Sequence, residues 1–223
     1  MRAGSGLGWL VCYSKHMNNK TTLRVCSWGL GLFVVALATF VWAGERLDGG
    51  SLTAYDVFPL LGLAAFSLMW THYVLGSLRR VLGVSAKENK LYSAISSYLV
   101  LAFILLHPGL LIFQLYKDGF GLPPQSYLEV YGAMKFAIGL GSISLLIFLL
   151  FELKRRFQKK SWWKYIDWAQ VVAMAMIFYH GLSLGHELSV SWYKAVWYVY
   201  GVSLIAAIVY NYWYDKRCMK EQV

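Results

Sequence analysis

The sequence predicts an all-α membrane protein, a six-transmembrane-helix bundle with both termini in the cytoplasm. Three observations predict it. Of 223 residues, 58% are hydrophobic and only 14% are charged, much less charge than a soluble domain carries. Six apolar runs reach or approach the roughly 20 residues that cross a bilayer as a helix. Lys and Arg alternate between rich and poor connections, as the positive-inside rule requires. An open sheet is excluded because its edges would leave backbone polar groups unsatisfied in lipid.

The elements follow in order. Residues 1–24 form a cytoplasmic arm carrying Arg2, Lys15, Lys20 and Arg24. No small-residue cleavage site precedes Glu45, so the first apolar run reads as a signal anchor and not as a cleaved signal. The transmembrane domain covers 25–214, with spans at about 25–43, 57–78, 91–116, 131–151, 163–184 and 195–214. Residues 215–223 form a short cytoplasmic tail. The arm, the loops 79–90 and 152–164 and the tail hold 17 of the 21 Lys and Arg residues, and the other three connections hold one each. The last one, Lys135, falls inside span four.

That distribution also disposes of a nucleic-acid reading of the +10 net charge, since the basic residues flank apolar runs. Trp42, Trp162, Trp163, Trp192, Trp197 and Trp213 fall near span ends, where interfacial anchors are expected. Cys12, Cys26 and Cys218 all fall on the reducing side and read as free thiols. Cys12 and His16 share i, i+4 spacing, weak ground for a metal. "GLGLF" at Gly29–Phe33 and "GLGS" at Gly139–Ser142 read as helix packing. No internal repeat stands out.

The chemistry-bearing residues are histidines inside apolar runs. His107 lies 17 residues beyond Lys90, about 25 Å of helical rise, and His180 lies 16 beyond Lys164, about 24 Å. Both therefore sit roughly 5 Å inside the outer edge of a ~30 Å hydrocarbon core. Either one alone reads as an interhelical hydrogen-bonding residue. Two at matched depth read as ligands to one shared iron, each offering a neutral ring nitrogen from opposite faces of a haem. Pro108 removes a helix hydrogen bond next to His107, either as a plain kink or as a way of aiming the ring. His72 lies seven residues before Arg79, about 10 Å above the inner edge, too deep to share that iron. It reads as an interhelical hydrogen-bonding residue, an inner ligand, or a contact to a quinone or haem edge. His186, beside Glu187, reads as a loop residue or as a contact to an electron acceptor or haem propionate.

"LYSAISSYLVLAFILLHPGLL" resembles the third helix of the ferric-reductase-like transmembrane domain superfamily. This superfamily includes the membrane parts of ferric reductases and NADPH oxidases, and the haem subunit of bacterial methionine sulfoxide reductase systems. "KKSWWKYIDWAQVVAMAMIFYHGLSL" resembles the fifth helix of the same superfamily. The resemblance covers roughly residues 25–214. Two-haem members carry two histidines on each of these helices. Here the outer pair stands as His107 and His180, while Ser93 and Asp167 occupy the inner positions. The resemblance thus implies one haem b in the outer leaflet of a transmembrane electron-transfer protein, an oxidoreductase or its haem-binding subunit.

Electrons would then need a stepping stone from the cytoplasmic side: a second haem held with His72, a bound quinone, or a flavin at the inner helix ends. Arg79 and Arg80 read first as positive-inside topology signals, and would also suit flavin phosphate or haem propionates. Lys135 would hold a propionate or snorkel to headgroups. Asp167 would be a solvated edge residue or part of a proton route. No Gly-rich dinucleotide loop is present. The expected donor is therefore a separate flavin or NAD(P)H reductase, or a quinol. The expected acceptor is external: a ferric chelate, oxygen or a partner protein. The expected location is a plasma membrane or bacterial inner membrane. Two rival readings are a haem-free scaffold or ion/proton transporter using His72, Asp167 and Lys135, and an unrelated quinone-linked cytochrome b.

Overall fold

The structure, a computed structural model, describes residues 6–46, 52–156 and 164–220. Among them are seven α-helices and no strand. They are α1 (Gly6–Arg46), α2 (Ala54–Val81), α3 (Lys90–Lys117), the short α4 (Gln125–Val130), α5 (Lys135–Arg156), α6 (Lys164–Leu184) and α7 (Ser191–Lys220). Within α1, α2 and α7, and in α3 and α5 with the short 3-10 turns before them, five stretches are long and apolar enough to cross a membrane. α6, at 21 residues, is less apolar than these, because Asp167, Gln170 and His180 interrupt it.

Helix ends follow local chemistry. The Asp56 carboxylate accepts from the Thr53 N–H at 2.9 Å and from its hydroxyl at 2.7 Å, which fixes the start of α2. At the other end Gly83 adopts φ +64°, and Val84 N–H donates to the Arg79 carbonyl at 3.0 Å. That wrap needs a left-handed residue, which glycine supplies without a Cβ penalty. α3 ends the same way at Gly119, φ +89°, with Phe120 N–H on the Leu115 carbonyl at 3.0 Å.

α2 is the hub. Every residue from Leu63 to Thr71 is buried, as expected of a helix that is apolar all round. It packs on α1, α3, α6 and α7, while α5 pairs with α6. Small side chains occupy the crossings: Ala38, Ser67, Thr71, Ser144 and Ala173 are all fully buried. In membranes such residues let backbones approach closely. Large apolar side chains such as Leu32, Phe40, Val202 and Ile205 are exposed on the outside, the surface a lipid-facing bundle presents.

Several expectations change. Residues 6–24 continue α1 as helix, so the expected arm is the first part of the same rod. α7 likewise runs to Lys220 into the expected tail. The expected connection 117–130 contains α4. Trp197 is 1% exposed and is no interfacial anchor. It stacks on Phe66 with ring centres 4.6 Å apart and fills the space over Gly181. Its position near a span end misled, because the inward face of α7 is aromatic there. Trp42 is tied to α2, donating to the Asp56 carbonyl at 2.6 Å. Trp162 and Trp163 lie outside the described residues, as do the side chains of Cys12 and His16.

Candidate functional site

The site forms where two helix pairs meet. α3 brings His107 against α2, and α6 brings His180 against α5. His107 Nδ1 lies 2.7 Å from the Phe58 carbonyl oxygen, and His180 Nδ1 lies 2.9 Å from the Ala137 carbonyl oxygen. A carbonyl can only accept, so Nδ1 carries the proton in both rings. In the neutral ring Nε2 is then the basic nitrogen, available to a metal. A backbone carbonyl on the far nitrogen is the usual way that a ligating histidine has its tautomer and orientation fixed.

Each ring also packs closely on a glycine. A Cβ on Gly62 would stand 2.8 Å from His107 Cε1, and one on Gly141 would stand 2.6 Å from His180 Nδ1. Each glycine follows the bonded carbonyl by four residues: "FPLLG" for Phe58 to Gly62, "AIGLG" for Ala137 to Gly141. One helical turn thus supplies both an anchor for the ring nitrogen and a gap for the ring face. The device occurs twice, once in α2/α3 and once in α5/α6. It is a local repeat that no stretch of sequence identity reveals.

The two rings are neighbours across the junction, with centres 6.3 Å apart and planes at 79°. Two metal–nitrogen bonds of about 2 Å each, with the ring radii added, span roughly the same distance. Phe58 stands beside His107 with ring centres 5.2 Å apart. Lys135 is exposed and opens α5 two residues before Ala137, so it lies at the level of His180.

The other candidates lie elsewhere. His72 sits on α2 with Nε2 3.0 Å from Ser96 Oγ. Ser96 is 11 residues before His107 on α3, about 16 Å of rise away. Ser96 Oγ already donates to the Tyr92 carbonyl at 2.7 Å, so the His72 ring is the donor and Nε2 carries its proton. Arg80 is held by Asp215, at 2.9 Å from Nη2 to Oδ2. Arg79 donates to the Val84 carbonyl at 3.3 Å and borders a small cavity that His72 and Ser93 also line. Asp167, at the inner position of α6, pairs with Lys154 of α5. None of these reaches the His107–His180 pair.

A second polar cluster ties the end of the bundle nearest the histidine pair. Arg46, at the end of α1, reaches Glu187 at 3.4 Å and Asp56 at 3.6 Å. Glu187 is 0% exposed, and its Oε2 has no partner among the described residues. His186 is largely exposed, with Nε2 3.6 Å from Glu45. The sequence points to neither the burial of Glu187 nor its partner, which is 141 residues away.

Among the described residues, no group of three or more His, Cys, Asp or Glu side chains is arranged to hold a bare metal ion. The two-imidazole arrangement is a different donor set, one that leaves four coordination positions to a planar ligand. Compared with protein-family models, curated proteins and solved structures, the chain matches none.

Proposed function

We propose that the chain is a b-type haem electron-transfer protein, an oxidoreductase or the haem-binding membrane subunit of one. His107 and His180 would hold its iron. The observation that carries this reading is the neighbouring pair of imidazoles, 6.3 Å between ring centres, each with Nδ1 on a backbone carbonyl. The donor set fits the group. In both rings Nδ1 is taken by a carbonyl and Nε2 is left as the basic nitrogen, and both rings pack on a glycine that leaves them room. A bound haem supplies a one-electron iron couple, whose potential its axial ligands and surroundings set.

The residues of the chain have defined tasks in this reading. The carbonyls of Phe58 and Ala137 hold the ring tautomers and raise the basicity of Nε2. Phe58 sets an apolar ring beside His107. Lys135 is the cation placed to meet a propionate. Arg80 is not, because its charge is already matched by Asp215.

α6 completes the bundle as the sixth span. His180 lies beside His107 and Gln170 lines the cavity, while Asp167 is exposed at the inner end and paired with Lys154, so the lower apolarity of α6 does not count against insertion. With six spans, the weight of Lys and Arg puts both termini in the cytoplasm and the histidine pair in the outer leaflet. An external acceptor, such as a ferric chelate, oxygen or a partner protein, would then be near the site. The expected result is a low-spin b-type reduced-minus-oxidised spectrum at about one haem per chain. A colourless protein from haem-replete cells would favour the transporter or scaffold reading instead.

A further inference from the structure

Between α2, α3, α5, α6 and α7 lies a cavity of about 350 Å3, at the lower end of the roughly 300–1,000 Å3 typical of small-molecule sites. Met69, Leu101, Phe148 and Met174 form apolar walls. Its polar groups include His72, Arg80, Glu152, Asp167, Gln170 and Asn211, with the hydroxyl residues Tyr73 and Ser97. Ile104 also lines it, three residues before His107, about 4.5 Å of rise. The cavity therefore begins one turn from the histidine site.

Charge decides what it can hold. A guanidinium has five N–H donors. The Arg80 guanidinium is already paired: Nε and Nη2 meet the Asp215 carboxylate at 2.9–3.2 Å, and Nη1 donates to the Gly76 carbonyl at 3.2 Å and to Asn211 Oδ1 at 3.1 Å. The lining adds two carboxylates, Glu152 and Asp167. Asp167 is matched by Lys154 as Arg80 is by Asp215, so a phosphate or a propionate would find a guanidinium already paired with a carboxylate and a like charge in Glu152, which disfavours a flavin nucleotide and a second haem alike. His72 is the single imidazole of the lining, and its Nε2 proton is given to Ser96. A neutral ligand remains. Gln170 has no hydrogen-bonding partner among the described residues and offers both a donor and an acceptor to the cavity.

The geometry points to a binding site for a neutral quinone-class ring. The diol form donates its hydroxyls to Glu152 and Asp167, and the dione form accepts from the Gln170 amide, so both forms have partners. The ring faces lie against the apolar walls, and a lipid tail continues into the bilayer. This inference rests on the reading of His107 and His180 as an electron-carrying site, and names the chemical class of its donor. It also explains the composition of α6: Asp167 and Gln170, which interrupt its apolarity, line the cavity.

The test is photolabelling of the purified haem-bearing protein with a short-chain azidobenzoquinone, mapped by mass spectrometry. The expected label falls on 97–104 of α3 and 170–174 of α6 and persists in excess riboflavin phosphate. Gln170→Leu reduces it several-fold, and Met174→Trp, which fills the cavity, abolishes it. Label scattered over lipid-facing residues, displaced by riboflavin phosphate, or unchanged in Gln170→Leu overturns the site. Haem absorbance is read on the same samples. Haem without cavity label refutes the quinone site alone, and cavity label on a colourless protein refutes the haem reading alone.

Discussion

At the scale of the residue, the site depends on two gaps. A methyl group added at Gly141 meets the His180 ring at 2.6 Å, inside any normal contact. Overpacking of this kind costs about 1–3 kcal/mol, and here the imidazole is what must move. Gly141→Ala is therefore expected to lower haem content, while Gly139→Ala, with nothing within 4 Å of its added carbon, leaves it unchanged. Haem per chain of the two variants, side by side, checks this. Equal content in both would show that the glycine gap does not hold the ring. The buried pair makes a second residue-level prediction. Arg46→Ala strands Glu187 without its cation and is expected to cost about 3–5 kcal/mol. Arg24→Ala, whose pair with Glu88 is solvent-exposed on the arginine side, is expected to change stability little. Thermal unfolding in detergent distinguishes them. The histidines were legible in the sequence because a polar ring in an apolar run stands out. Gly62, Gly141 and the two carbonyls were not, because a carbonyl leaves no trace in composition and a helical glycine usually has no partner.

At the scale of the element, helix positions were legible from apolar runs and charged markers, and α2, α3 and α5 begin and end within a few residues of expectation. The lengths of α1 and α7 were not, since both continue past the apolar run into polar sequence that still favours helix. Trp197 shows the related limit: distance from a span end says nothing about which face of the helix a side chain is on. Pro108 sits inside α3, which runs through it unbroken. Proline leaves the Ile104 carbonyl without its helical donor, one turn below the site. Pro108→Ala restores that bond and changes the angle at which His107 approaches Phe58. The expected result is retained haem with altered low-spin electron paramagnetic resonance g-values. Unaltered g-values would mean that Pro108 is tolerated and aims nothing.

At the scale of the whole molecule, the bundle joins two helix pairs, and both the histidine pair and the cavity lie at their junction. Depth along each helix could be counted from the sequence, which put His107 and His180 at one level. Lateral placement could not, because it depends on which helices neighbour each other. The six-span reading makes a topological prediction. Single cysteines introduced at Ser85 and at His186 should react with a membrane-impermeant maleimide from opposite faces of sealed vesicles. Reaction from the same face would remove α6 as a span. The central claim is that two histidines share one iron, and haem stoichiometry in the single variants tests it most directly. About one haem per chain in the parent, with low-spin haem lost in both His107→Ala and His180→Ala, is the predicted result. Full, spectrally unchanged haem in either variant would contradict it.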